Sequence, residues 1–258
     1  MKKTVIVAAH KPYRMPDDPM YVPVQAGSEG KEAISGYRQD NTGDNISLKN
    51  PNYCELTALY WAWKNLDYDA MGLVHYRRYL KGTRRSNDPF DMVLSSKEVE
   101  ELLNKYDVIV PKTQNYVIET IRSHYGHTHY EKDLDACRNV LEHYYPGYVD
   151  DWDYLMSQTK AHMFNMFIMK QPWFDRYCEF LFGVLSHLEK EIDISSYDAF
   201  QARVFGRISE LLLDTWVRHN HLKIKEVPLQ YMEKIDWPKK IRSFLSAKFL
   251  NKKYEGSF

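Results

Sequence analysis

Four short apolar runs decide what this chain can fold into: TVIVAA (Thr4 to Ala9), AMGLV (Ala70 to Val74), DVIV (Asp107 to Val110) and FNMFIM (Phe164 to Met169). Their apolar residues continue without the alternation of a half-solvated strand, so each reads as a strand buried on both faces. Helical spacing fills the intervals. In ELTALYWAWKN (Glu55 to Asn65), Leu56, Leu59, Tyr60 and Trp63 recur at steps of three and four. Glu98 to Tyr106, Phe174 to Leu188 and Ala199 to Val217 read as further helices, as does a segment with Leu134, Cys137, Val140 and Leu141 on one side. Alternating strands and helices predict an α/β fold. Residues 12–50 lack apolar periodicity and hold clusters of Pro, Gly, Asn and Asp, which predicts a long loop of the functional or disordered kind.

The 258 residues, 44% hydrophobic and 27% charged, suit one large domain or a domain with an appendage. Lys plus Arg and Asp plus Glu both number 35, so the net charge is zero. A general polyanion binder carries a basic excess, and nucleic acid is therefore disfavoured as a partner. Three widely spaced cysteines without a CxxC pair suggest neither a disulfide framework nor structural zinc. The N-terminal apolar run is too short for a signal peptide, and no stretch approaches a membrane span, so a cytoplasmic location is expected. The last segment, WPKKIRSFLSAKFLNKKY, differs. It interleaves Ile241, Phe244, Leu245, Phe249 and Leu250 with lysines 239, 240, 248, 252 and 253 and Arg242. This reads as an amphipathic basic helix, suited to an anionic membrane surface through residues 239–253 or to docking on the domain. The expected division is a main domain over 1–235 and a basic tail over 236–258.

The chemistry concentrates in GLVHYRRYL, Gly72 to Leu80, where a buried strand runs into His75, Arg77 and Arg78. Ligands of α/β proteins bind at the carboxyl ends of strands. Adjacent guanidinium groups there suit a diphosphate, although a salt-bridged and stacked surface pair is the plainer reading. Asp67-Tyr68-Asp69 has the DxD pattern of a metal-binding carboxylate pair, but it precedes its strand and reads as a turn. Cationic side chains would then neutralise the phosphates without a metal, with Mn or Mg as the alternative. His124, His127, His129, Glu131, Asp133 and Asp135 form a cluster with no zinc-signature spacing. Acidic residues at a helix N-terminus explain part of it; an acceptor site with Asp133 and His129 on sugar hydroxyls is the other reading. Glu210, in RVFGRISELLL, sits within an apolar helical run, where burial raises a carboxyl pKa toward that of a general base; a capping role is the alternative. Cys54 reads as a core thiol.

VAAHKPY, YCELTALYWAWKN, GLVHYRRYL, YDVIVPK, NMFIM and RVFGRISELLL, in this order, resemble a family of bacterial capsular and exopolysaccharide glycosyltransferases first catalogued as a domain of unknown function. The resemblance covers roughly residues 3–230. It implies a GT-A-type fold, with a Rossmann-like nucleotide-binding sheet that carries helices on both faces and is fused to an acceptor-binding half. It also implies transfer of a hexose, galactofuranose or galactose, from a UDP-sugar to a lipid-linked oligosaccharide at the inner membrane face. The resemblance puts His10 and Lys11 near the uracil and ribose, and draws Asp40, Asn41, Asn50, Tyr53 and Glu55 from the polar loop and the next helix. His75, Arg77 and Arg78 would hold the diphosphate, Asn165 would meet the donor sugar, and Glu210 or Asp133 would be the base of an inverting transfer. Where the family reads SERLL this chain reads SELLL, with Leu211 in place of Arg. The competing expectations are a glycan-binding protein indifferent to nucleotide, a retaining transferase, and a nucleotide-sugar hydrolase.

Overall fold

The computed structural model describes residues 1–233. The basic segment 236–258, with its expected membrane contact at 239–253, lies outside them.

The first apolar run forms β1 (Lys3–Ala9), and both its faces are covered. Ile6 and Ala8 enter one apolar cluster, while Val5, Val7 and Ala9 enter a second on the opposite face. Fully burying one such aliphatic side chain contributes roughly 1.5–3 kcal/mol, so an uninterrupted apolar run is favoured only where both faces are packed. The long polar stretch that follows is not structureless. It supplies β2 (Tyr21–Gln25) and β3 (Arg38–Gln39), both parallel to their neighbours. The periodicity of β2 is masked by Pro23, which pairs with Val7 on one side and lies beyond the two-residue reach of β3 on the other. A proline is tolerated on such an open edge.

After α1 (Asn50–Tyr53) and α2 (Leu56–Asn65), β4 (Ala70–His75) returns to the other side of β1, again parallel, with Ala8 opposite His75. A short β5 (Arg78–Leu80) folds back on β4. Next comes α3 (Ser96–Leu103), which starts in a reciprocal capping box between Ser95 and Glu98, two residues before the expected Glu98. β6 (Val108–Pro111), the small β7 (Gln114–Asn115), α4 (Ile121–Thr128), α5 (Lys132–Tyr144) and α6 (Val149–Ser157) follow. β8 (Lys160–Ala161) pairs with β7, and β9 (Phe167–Lys170) runs antiparallel between β4 and β6. The chain closes with α7 (Gln171–Glu191), α8 (Val204–His219), β10 (Ile224–Val227) and β11 (Leu229–Tyr231).

The main sheet runs β10-β6-β9-β4-β1-β2-β3, with β5 and β11 attached beside β4. It is a mixed α/β sheet: antiparallel β9 joins two parallel groups. Gly72 is needed where β4 meets β9, because a Cβ there would stand 2.6 Å from Ile168 Cγ1 and 2.7 Å from the Phe167 carbonyl oxygen. One face is covered by α2 and α4 through α8, the other by α3, β5 and the chain around residues 13–21.

α8 is the most enclosed helix. Val204, Ile208, Leu211, Leu212, Thr215 and Trp216 are all buried, and Arg207, Glu210, Asp214 and Arg218 form a charged stripe along the helix. It begins at Val204 instead of Ala199, because residues 201–203 form a tighter 3-10 turn. β9 likewise starts at Phe167, since Phe164 (φ 79°) and Asn165 (φ 52°) are left-handed and cannot belong to a strand.

Candidate active site

β1 leads to β2 on one side and β4 lies on the other, so the crossovers diverge above the carboxyl ends of β1 and β4. Sheets of this kind place their ligands at such a switch point. Two chain segments leave the sheet there, His10-Lys11 after β1 and Tyr76-Arg77 after β4. Buried Tyr76 is their common platform. His10 meets it edge-on with ring centroids 5.2 Å apart, while the Lys11 Nζ lies 5.7 Å and the Arg77 guanidinium 5.3 Å from its ring centroid. Arg77 also pairs with Glu233 at 3.7 Å, and its side chain stays 43% exposed.

The floor is built around the left-handed pair Phe164 and Asn165. Non-glycine residues in this region cost on the order of 1–3 kcal/mol each and persist where surrounding contacts fix them. The Asn165 side chain is fully engaged: Nδ2 donates to Glu55 Oε1 (2.6 Å) and to the Gly206 carbonyl (2.9 Å), and Oδ1 accepts the Ser209 hydroxyl (2.9 Å). Backbone groups of Phe164 hold two further side chains. Its N–H donates to the Glu210 carboxylate. Its carbonyl lies 2.6 Å from His75 Nε2, which must therefore be the protonated nitrogen. Glu55 Oε1 is 4.0 Å from the same Nε2. The Arg78 guanidinium lies over the Phe164 ring at 4.6 Å. Cys54, a third left-handed residue (φ 54°), accepts a hydrogen bond on Sγ from Arg203 Nε at 3.1 Å.

These surroundings separate the ionisations. Burial pushes the Glu210 carboxyl up to about 7; nearby Glu55 adds to the rise, while the Phe164 N–H, Arg207 and Arg78 oppose it. Burial holds His75 below its ordinary value despite Glu55, so it is neutral at pH 7 and adds no positive charge. His10 is lowered by burial and then by Arg77, Lys11, Lys31 and Arg203. Burial raises the Cys54 thiol to about 11. The result is a basin with a cationic rim, a neutral histidine and a carboxyl poised near neutrality, a pattern associated with functional sites.

Of the residues singled out in the sequence, His10, Lys11, Glu55, His75, Arg77, Arg78, Asn165 and Glu210 converge here. Others do not. Asp40 is fully buried and accepts hydrogen bonds from the Gly27 and Ser28 N–H groups and the Ser28 and Ser47 hydroxyls, so it ties the loop together. Asn50 bonds the Cys54 carbonyl and Thr57. Tyr53 lies in the core against Phe205. Asn41 sits in the Asp40 loop, its Oδ1 buried without a hydrogen-bond partner. The histidine and acid cluster disperses: Glu119 bonds His124 and His127, Arg122 takes Glu131 and Asp135, His129 meets Gln201, and buried Asp133 accepts the Tyr197 hydroxyl at 2.6 Å. Among the described residues no group of three His, Cys, Asp or Glu could hold a metal ion. Asp69 accepts the Lys2 N–H beneath the sheet, as a turn residue does. Asn165 spends its amide on protein groups at 1% exposure, so it orients Glu55 and leaves no amide atom for a sugar.

Sequence reasoning missed Arg203, Arg207, Ser209 and Lys31. A signal existed for two of them: Arg203 and Arg207 precede Glu210 by seven and three residues, which puts all three on one helical stripe. Arg207 donates to the Gln201 and Phe200 carbonyls and lies over the Phe200 ring at 4.3 Å.

Over residues 4–221 the chain matches the family described as a domain of unknown function, DUF4422. Among solved structures it is similar to the WbbM bifunctional glycosyltransferase in its apo form, with a TM-score of 0.83 and 28% sequence identity. The similarity covers 91% of this chain and 46% of that one, so the chain spans less than half the length of the protein it resembles. No curated protein matches it. Among the described residues no helix is long and apolar enough to cross a membrane.

Proposed function

The chain belongs to the DUF4422 family, and from that premise we propose that it is a glycosyltransferase that takes a hexose from a UDP-sugar donor. The observation that carries this reading is a cationic basin at the β1–β4 switch point, holding a carboxyl raised to about 7, in a chain similar to part of a bifunctional glycosyltransferase. Arg77 and Arg78 hold the diphosphate and stabilise it as it departs. His10 and Lys11 line its nucleoside side. Glu210 takes the proton of the acceptor hydroxyl as its oxygen attacks the anomeric carbon opposite the diphosphate and the carbon–oxygen bond to the diphosphate breaks, which gives inversion. A base with a pKa near the working pH combines a useful ionised fraction with useful basicity. Glu210 is preferred over Asp133, whose carboxylate is buried on Tyr197. His75 remains neutral and frames the basin through Phe164.

The rim cations supply the charge that a divalent ion would bring, so turnover persists in EDTA. The sugar is galactofuranose or galactose, and the acceptor a lipid-linked oligosaccharide of a capsular or exopolysaccharide, met at the inner face of the cell membrane. The test is release of UDP from UDP-galactose and UDP-galactofuranose with a lipid-linked acceptor, in EDTA and in Mn²⁺. Arg77→Ala lowers turnover on the order of 10²-fold or more, the effect of removing one charge stabiliser of the transition state. Unchanged turnover in Arg77→Ala, or sugar binding indifferent to UDP, refutes the reading.

A further inference from the structure

We infer that Arg203, presented by Cys54, is a further arginine of the diphosphate site, supplied from the α8 side of the basin. This rests on the nucleotide-sugar reading above. Arg203 immediately precedes Val204, the first residue of α8. Three local features bring it there. Cys54 adopts a left-handed backbone at the end of α1, directly before Glu55. Gly206 lets α8 approach that corner, since a Cβ on it would stand 3.0 Å from Cys54 Sγ and 3.3 Å from the Tyr53 carbonyl oxygen. The Arg203 Nε then donates to Cys54 Sγ at 3.1 Å, an acceptor whose thiol, raised to about 11, stays neutral and helps fix the guanidinium plane.

From this position the Arg203 charge acts on His10, Glu55 and Glu210. Charge argues in the same direction. A chain of zero net charge gathers Lys11, Lys31, Arg77, Arg78, Arg203 and Arg207 around Glu55, Glu210 and Glu233. A local excess of cations repels itself unless an anion offsets it. A diphosphate carries several negative charges in a compact volume, and guanidinium groups converging from different elements match its oxygens in more than one plane.

The test is calorimetric titration of UDP and of uridine into the wild type, Arg203→Ala, Arg203→Lys and Cys54→Ala. Arg203→Ala is expected to weaken UDP binding tenfold or more while changing uridine binding less than twofold. Arg203→Lys, which keeps the charge but loses the fork, loses less. Cys54→Ala, which removes this acceptor from Arg203, weakens UDP two- to fivefold and leaves uridine alone. Equal losses on both ligands, or no loss on UDP, overturn the inference. If Arg203→Ala does not fold, Arg203→Lys decides by the same criterion, with an undiminished UDP affinity as the refuting result. A wild type that binds UDP no better than uridine defeats the nucleotide-sugar reading itself, before any variant is compared.

Discussion

Replacing Glu210 by Gln tests the electrostatics of the basin without any substrate. A carboxyl with an ordinary value of 4.5 that stands at about 7 in the folded protein binds its proton more tightly when folded. Between these two values the native state holds more protons than the unfolded chain, so stability falls as pH rises through the interval. It levels off above the folded value. The interval corresponds to roughly 3 kcal/mol at most, from about 1.36 kcal/mol per pKa unit, and solvent at the exposed edge of the side chain reduces it. Glutamine has nearly the same shape and does not titrate. Urea unfolding of both proteins at pH 5, 6, 7 and 8 should therefore show Glu210→Gln gaining on the wild type by roughly 2–3 kcal/mol between the extremes. The wild type would retain the stronger fall. Stability curves that stay parallel across that range would mean that Glu210 titrates like an exposed carboxylate, and its assignment as the base would lose its physical support.

His162 shifts in the same direction for the opposite reason. It lies buried between Asp214 (2.5 Å) and Glu226 (3.1 Å), and although burial alone would lower its pKa these carboxylates raise it. Its contribution is thus complete below about pH 6.5, the ordinary histidine value, and lost as pH rises through the higher folded value; His162→Gln should abolish that part of the pH dependence, with the imidazole titration followed by NMR. Gly206→Ala should cost about 1–3 kcal/mol in urea unfolding, because the added methyl meets Cys54 Sγ and the Tyr53 carbonyl; an unchanged midpoint would refute the tight approach of α8. Of the three cysteines only Cys54 is partly exposed, and its thiol stands at about 11. A thiol reagent at pH 7 should therefore label one cysteine slowly and the other two only on unfolding.

The elements legible in the sequence were those whose burial is continuous. β1, β4 and β6 announce themselves because both faces are packed, and α2 and α7 because one face is. β2 stayed hidden behind Pro23, and β3 is two residues long, too short to carry a period. In the basin, HYRRY was legible because a buried strand visibly ends in charge. Tyr53 and Asp40 were misplaced for a common reason: whether a polar or aromatic residue near a site faces inward depends on partners far along the chain. Phe205 covers Tyr53, and Ser47 and the Gly27 N–H take up the Asp40 carboxylate. The left-handed residues Cys54, Phe164 and Asn165 left no trace in composition, since none is glycine and only asparagine favours that conformation.

One of them has a consequence for how the basin can vary among related chains. The N–H of Phe164 holds the carboxyl of Glu210 and its C=O holds the ring of His75. The separation of base and histidine is therefore dictated by main-chain atoms of a single amino acid, and the benzyl group of that amino acid takes no part in it. Glycine at residue 164 would adopt the same turn without strain and keep both backbone contacts, but it would remove the ring beneath Arg78. The constraint there acts on a torsion angle.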